Sequence, residues 1–232
     1  MAQAVRRELG ERAGAKPGHR HRIPLGLVML EQGWITAGQL RRALDAQRVA
    51  ASGRLGWWLV RQQGVSEDLV TRALGLQWSC PVLPLESHDP EALASMLPRL
   101  FVEAFGAIPL RVAAGRLVYL GFEHRLDPVL ALALERMSGL RVECGLGQGS
   151  LFAPAFARHL KAAFPECQLL EAFSEAALAR ALAGAVERVR PVQSRLVRVH
   201  GWLWLRMWRR PPQGPVAERD RIADVIATVA PS

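Results

Sequence analysis

An internal repeat with an offset of 30 residues constrains this chain more than any other feature of its sequence. Leu25-Gly26 recurs as Leu55-Gly56, and Ile35-Thr36 recurs as Val65-Ser66. A repeat of this kind indicates one supersecondary unit that has been duplicated. The later hydrophobic positions and a closing glutamine also recur, as Leu40, Ala43, Leu44 and Gln47 in the first unit and Val70, Ala73, Leu74 and Gln77 in the second.

Each unit predicts two short helices, because its apolar residues recur at spacings of three and four. Gly33 is predicted to end the first helix, since glycine accepts the left-handed conformation found there. Thr36 and Gln39 form a capping box for the next helix, and Ser66 is predicted to cap the last one. Two helical hairpins so close in sequence predict a small helical domain, to which we assign residues 22–86.

Residues 87–165 have a different pattern, which predicts a small α+β domain. Asp89-Pro90 and Asp127-Pro128 each place an N-cap residue before a proline at the first helical position. Ala113-Ala114-Gly115 separates two apolar runs and predicts a β-hairpin. The expected order is helix, strand, strand, helix, strand, helix, with a break in the first helix at Pro98. The overall fold class is therefore expected to be α+β.

Basic charge is concentrated near the two ends of the chain, whose formal net charge is +9. Residues 1–22 contain six Lys or Arg and two Glu, and residues 188–221 contain nine Arg. We expect residues 1–21 to form a flexible arm and residues 166–232 to form a helical extension rich in Arg and Trp. Such ends can contact anionic partners, or they reflect solubility and a preference for arginine.

The alternation of Trp and Arg near the C-terminus leaves three interpretations open. The segment could pack on the protein's own core, contact a protein partner through residue types that are enriched in binding hot spots, or lie at a membrane interface. Nucleic-acid binding is less favoured, because no recognition fold accompanies the stacking residues. The candidate contact residues are Trp202, Trp204, Arg206, Trp208, Arg209 and Arg210.

Other features narrow the compartment and the chemistry. Three widely spaced cysteines form neither a disulfide framework nor a zinc motif, and they fit a reducing cytoplasm. No apolar stretch is long enough for a transmembrane helix, and no secretory signal is evident. No hydrolase motif is present either. We expect a cytoplasmic protein without a metal, with peripheral association at the inner membrane as an option, and not an enzyme.

Four segments taken in order follow the pattern of a known family. They are IPLGLVMLEQGWITAGQLRRALDAQ, RLGWWLVRQQGVSEDLVTRALGLQ, FGAIPLRVAAGRLVYLGF and LDPVLALALERMSGLRV. Together they resemble the N-terminal region of type II secretion and type IV pilus assembly ATPases. No Walker A motif is present. The resemblance therefore implies a front-end domain without its ATPase, acting as a regulatory or adaptor protein on a secretion, pilus or exopolysaccharide system. Its expected partners are assembly proteins such as a separate ATPase or an inner-membrane platform protein.

The resemblance also implies a ligand, since some family members bind cyclic di-GMP through the tandem unit. Arginine can stack on guanine or pair with phosphate, leucine can cover a purine face, and glutamine can bind a base edge. No cofactor is expected, and cyclic di-GMP would be a regulatory ligand. The candidate binding residues carried over are Arg22, Leu25, Gly26, Gly33, Gln47, Arg54, Leu55, Gly56, Leu59 and Gln77.

Three departures from the family pattern support an alternative. Pro24 stands where the first unit should have Arg, and Gln63 stands where the second should have Gly, with Gly64 one residue late. Glu123-His124-Arg125 replaces the family's Ala-Asp-Pro. In the alternative, the Leu-Gly pairs and glutamines only pack short helices. The chain would then be a ligand-free interaction scaffold of the secretion apparatus.

Overall fold

Four helices form the tandem repeat, as the sequence predicts. The computed structural model describes residues 23–86 and 88–230, so the arm predicted over 1–21 lies outside the described residues. Met29 and Leu59, which are equivalent positions of the two units, are fully buried in a small core of their own. The helices are α1 (Leu25–Glu31), α2 (Ala37–Ala50), α3 (Leu55–Gln63) and α4 (Glu67–Trp78).

The ends of these helices follow from local chemistry. Gln39 N donates to Thr36 Oγ1 at 3.2 Å and Thr36 N donates to Gln39 Oε1 at 2.9 Å, which confirms the capping box before α2. Gly33, with a φ of 69°, follows α1 in the left-handed conformation, as predicted. Ser66 takes the N-cap position of α4, but its side chain accepts no capping hydrogen bond. The predicted side-chain cap is therefore wrong, and the acidic first turn of α4 is left to favour that helix end.

The next unit has the predicted α+β order of elements. β1 and β2 form an antiparallel hairpin, and β3 joins β2 in parallel after a crossover through a helix. The predicted break at Pro98 separates the first two helices, and Pro154 lies in the middle of the last helix. The elements are α5 (Pro90–Leu93), α6 (Arg99–Phe105), β1 (Ala107–Ala113), β2 (Leu117–Phe122), α7 (Pro128–Ser138), β3 (Arg141–Leu146) and α8 (Gly149–His159).

The C-terminal part is mostly a β-sheet, so the predicted helical extension is wrong outside a single helix. The sheet has the strand order β4-β7-β6-β5. The run WLWLRMW has a period of two, and apolar residues on both faces are typical of a strand covered on both sides. The elements are β4 (Glu166–Ala172), α9 (Glu175–Val189), β5 (Gln193–Val199), β6 (Trp202–Trp208) and β7 (Ile222–Val229).

The two faces of this second sheet belong to different cores. Leu205 and Met207 pack with α9 on one face. Trp202 and Trp204 on the other face join the core of the α+β unit, where Trp204 contacts Phe101 edge-to-face with ring centroids 5.6 Å apart. One hydrophobic core therefore runs across residue 165, where the sequence analysis placed a boundary.

A buried ion pair lies beside Trp204 in this core. Arg206 Nε donates to Asp224 Oδ1 at 2.8 Å, and Arg206 Nη2 donates to Asp224 Oδ2 at 2.7 Å. Trp204 Nε1 donates to the same carboxylate at 2.9 Å, and Arg206 Nη1 reaches the Met96 carbonyl at 3.4 Å. Asp224 thus neutralises a buried guanidinium that also links the second sheet to the α+β unit.

We expect Asp224→Ala to destabilise the fold by about 3–5 kcal/mol, because it leaves Arg206 buried without a counter-charge. Urea unfolding measures the loss. The control is the double variant Arg206→Met with Asp224→Leu, which removes both charges and should recover most of the stability. Equal losses in the two variants would contradict the role given to the unpaired charge.

Two buried histidines join α8 to the segment before α5. His88 Nε2 and His159 Nδ1 are 3.1 Å apart, and His159 also packs edge-on against Phe164. Burial lowers the pKa of His159 to about 4, with the neighbouring His88 as a second cause. Burial also lowers the pKa of His88, and the charge of Arg158 acts in the same direction. Both rings are therefore neutral at pH 7, and one donates a hydrogen to the other.

The free energy of unfolding should decrease as the pH is lowered from about 6.5 to 4, because His159 binds a proton in the unfolded state and stays neutral in the folded state. A shift from 6.5 to about 4 corresponds to roughly 3 kcal/mol. Urea unfolding across this pH range tests it, with His159→Leu expected to flatten the dependence. His124→Leu, at a more exposed histidine, is the control and should leave the dependence in place. An unchanged dependence in His159→Leu would refute the prediction.

Candidate ligand-binding site

A cavity of about 1000 Å³ opens between the tandem repeat and the α+β unit. One wall contains the start of α3 and parts of α4, and the other contains residues 123–125 after β2 and Gly149 at the start of α8. The volume is at the upper end of the range for ligand sites, roughly 300–1,000 Å³. Five of the candidate binding residues line it, namely Leu25, Arg54, Leu55, Gly56 and Gln77.

The remaining candidates do not line this cavity. A Cβ on Gly26 would lie 2.5 Å from Leu40 Cδ1, so this glycine permits close packing of α1 on α2. Leu59 is fully buried in the repeat core, and Gly33 ends α1. The structure therefore gives Gly26 and Leu59 packing roles and gives Gly33 a role in ending a helix. Arg22 lies outside the described residues.

Side chains from two directions hold the loop that presents Arg54. Gln47 Nε2 donates to the Gly53 carbonyl at 2.8 Å, and Trp58 Nε1 donates to the Ser52 carbonyl at 3.0 Å. Gln47 is thus a candidate binding residue that supports this loop and does not line the cavity. Gly53 has a φ of 80°, and a Cβ there would lie 2.9 Å from the Trp58 indole nitrogen. Arg54 then takes the N-cap position of α3. Its cation and the first-turn N–H groups of α3 together favour an anion.

Carboxylates lie on both walls of the cavity, Glu67 at the start of α4 and Glu123 after β2. Glu67 Oε1 accepts a hydrogen bond from Ser150 N at 2.8 Å, which ties the start of α4 to the start of α8. Burial raises the pKa of Glu123, an effect that the cation of Arg54 opposes and the charge of Glu67 reinforces. Glu123 Oε1 also lies 3.1 Å from His124 Nε2. The cavity therefore combines cations with carboxyl groups, one of which protonates more readily than an ordinary glutamate.

Three tryptophans line the same cavity, and the sequence analysis did not assign them. They are Trp57, Trp58 and Trp78. In the first unit, the positions of Trp57 and Trp58 are occupied by Leu27 and Val28. A change from aliphatic to aromatic residues within a repeat was therefore the signal that could have found Trp57 and Trp58, whereas Trp78 corresponds to Arg48.

The departures from the family pattern have clear structural places. Pro24 is the N-cap of α1, as Arg54 is of α3, so the change removes a side chain while keeping the backbone position. Gln63 is the last residue of α3, and its Oε1 accepts from Arg42 Nε at 2.9 Å. Gly64, with a φ of 63°, takes the left-handed position after it. The left-handed glycine therefore lies one repeat position later than Gly33 does, and α3 is two residues longer than α1.

The structure buries most of the C-terminal Trp and Arg residues that are candidates for contact with a partner or membrane. Trp202, Trp204, Trp208 and Arg206 are buried, because alternate residues of β6 face the shared core. Of the three interpretations of this segment, the structure shows packing on the protein's own core. In the part of the chain that the structure describes, no helix is both long and apolar enough to cross a bilayer. Two of the six residues are exposed, Arg209 and Arg210.

Comparison with known proteins identifies structural neighbours. No family model and no curated protein matches the chain. The structure of MshE with cdg is 24% identical, covering 60% of this chain and 99% of that chain with a TM-score of 0.47. Two structures of the XpsE N-terminal domain are 21% and 20% identical, covering 58% and 62% of this chain and 92% and 99% of theirs, with TM-scores of 0.41 and 0.32. MshE and the XpsE N-terminal domain are therefore proteins to which this chain is structurally similar.

We expect Gly56→Ala to destabilise the repeat by about 1–3 kcal/mol without any ligand, because the new Cβ would lie 2.7 Å from Val70 Cγ1. Thermal unfolding measures the change. Gly38→Ala is the matched control, since Gly38 is exposed in α2 and a Cβ there would lie 3.4 Å from Arg42 Nη1, the end of a flexible side chain. The control should be neutral or more stable by up to about 1 kcal/mol. Wild-type stability in Gly56→Ala would rule out a packing role.

Proposed function

We propose that this chain is a non-enzymatic regulatory module that binds cyclic di-GMP in the cavity between the tandem repeat and the α+β unit. The observation that supports the proposal is that five of the residues selected from the sequence for this ligand line one cavity of ligand size. They comprise a cation, two leucines, a glycine and a glutamine. They are Leu25, Arg54, Leu55, Gly56 and Gln77.

The chemistry of the cavity suits a ligand with two phosphates and two purines. Arg54 and the first turn of α3 favour a phosphate, through charge-assisted hydrogen bonds and the helix dipole. Leu25 and Leu55 offer apolar surface to the faces of a base. Gln77 Nε2 donates to the Ile23 carbonyl at 2.7 Å, an arrangement that orients its amide oxygen as an acceptor for a base N–H.

The second unit is expected to contribute more binding energy than the first. Pro24 lacks the cation that Arg54 supplies, and loss of one charged hydrogen bond lowers affinity by about tenfold or more. Arg125 lines the opposite wall and supplies a second cation to the cavity. Ionised Glu67 and Glu123 act against an anionic ligand, so the expected affinity is moderate.

Two features support a binding role rather than catalysis. The sequence has no Walker A motif, so the usual phosphate cradle of an ATPase is missing from it. Burial raises the pKa of Cys144 and of Cys167 to about 12, so these thiols are protonated and poorly nucleophilic at neutral pH.

The position of the cavity suggests how binding would be transmitted. Its walls come from two units that meet through the Glu67–Ser150 hydrogen bond, so a ligand that contacts both would favour one relative arrangement of them. The resemblance to secretion and pilus ATPase front ends supports an assembly protein of such a machine as the partner. That partner would be met in the cytoplasm, at the inner membrane face.

Arg54→Ala should weaken cyclic di-GMP binding by about tenfold or more, because it removes the cation at the α3 N-terminus. Isothermal titration calorimetry on the full chain measures the dissociation constant, with cyclic di-AMP as the base control. Arg41→Ala is the charge-matched variant, since Arg41 is exposed on α2 and does not line the cavity.

Absence of heat and of a thermal shift in the wild-type protein, at ligand concentrations on the order of 100 µM, would contradict the proposed function. Equal effects of the Arg54 and Arg41 variants would contradict the site. The first result would favour the ligand-free interaction scaffold, whose partner would co-purify without nucleotide, and the second would place the ligand elsewhere on the chain.

A further inference from the structure

We infer that Trp57 is the base-stacking residue of this cavity, a role that rests on the proposed function and adds to it a residue that the tandem motif does not specify. The chemical class that such a residue selects is a purine carried on a phosphorylated sugar.

The first observation is the exposure of the Trp57 side chain. Trp57 is 49% exposed although it lines a cavity. A large apolar ring in that position has about half of its surface left for a ligand to cover, and covering it is favourable.

The ring of Trp57 is held in place before any ligand arrives. Trp58 contacts it edge-to-face, with ring centroids 4.7 Å apart and planes at 88°. Trp58 is itself anchored by its hydrogen bond to Ser52. The guanidinium carbon of Arg61, one turn along α3, lies 5.2 Å from the Trp57 ring centroid. A side chain that is already ordered loses less entropy when a base stacks on it.

Trp57 also lies at the right place along the helix. It follows Arg54 by three residues, and positions three apart on a helix are neighbours on its surface. A phosphate on Arg54 and a base on Trp57 would therefore be close enough to belong to one nucleotide half of the ligand. The two residues together form a phosphate-and-base subsite at the start of α3.

The first unit provides an internal comparison. Leu27 is the repeat equivalent of Trp57 and is 50% exposed, yet it does not line the cavity. Pro24 is the equivalent of Arg54. The first unit thus lacks both the cation and the aromatic ring, and the second unit has both. This pairing indicates that the ring and the cation serve one ligand.

The test uses Trp57→Leu, which introduces the residue of the first unit, and Trp57→Phe, which keeps a flat ring. Trp57→Leu should weaken cyclic di-GMP binding by about tenfold, the size of one lost base stack. Trp57→Phe should stay within a few-fold of wild type and should lose part of the ligand-induced quenching of indole fluorescence. Leu27→Ala, an exposed apolar position outside the cavity, should bind as wild type.

The outcomes separate this inference from the proposed function. Binding of Trp57→Leu within about twofold of wild type, together with loss in Arg54→Ala, would overturn the stacking role and leave the proposed function intact. Full quenching in Trp57→Phe would likewise overturn it. Absence of binding in the wild-type protein would remove both. Thermal unfolding of each variant shows that the fold is retained, and Trp57→Phe provides the test should Trp57→Leu unfold.

Discussion

The packing of β6 beneath α6 determines how the rest of the chain is arranged. Trp204 contacts Phe101 edge-to-face, and Arg206 beside it reaches the backbone of Met96, so the two sheets share one core. Phe122 at the end of β2 is buried in that core, and the chain continues directly into residues 123–125 at the cavity wall. The C-terminal sheet therefore supports one wall of a cavity to which it contributes no lining residue among those the structure describes.

The tandem repeat conserves its backbone and varies its surface. Gly26 and Gly56 both allow a close approach between helices, and a Cβ at either would meet a side chain within 2.7 Å. Because these roles belong to the fold, they are duplicated in both units. The residues that face the cavity differ between the units, and most of the lining comes from the second. The site is therefore asymmetric although the scaffold that carries it is repeated.

The sequence predicts those elements whose signals are local. The capping box at Thr36 and the Asp-Pro starts of two helices need only neighbouring residues, and each was found where expected. The C-terminal strands were not predicted, because β6 is covered on both faces and its hydrophobic run does not show which partner covers it. Arg206 favoured an exposed position for this segment, because arginine is mostly found at protein surfaces. Its counter-ion Asp224 lies on β7, and only the folded sheet brings the two together. The same limit applies to the cavity, since residues 123–125 reach it only through tertiary packing.

Pro24 and Arg54 occupy the same backbone position in two copies of one unit, each as the N-cap residue of its helix. The helix that follows Arg54 already folds on this scaffold, and it ends two repeat positions later than α1 without disturbing the next helix. The second unit is therefore a template for the first. Placing its Arg and Trp at the equivalent positions of the first unit, Pro24 and Leu27, should require little change in the backbone. Such a chimera would show whether exchanging surface residues alone converts a scaffold with one ligand half-site into a scaffold with two.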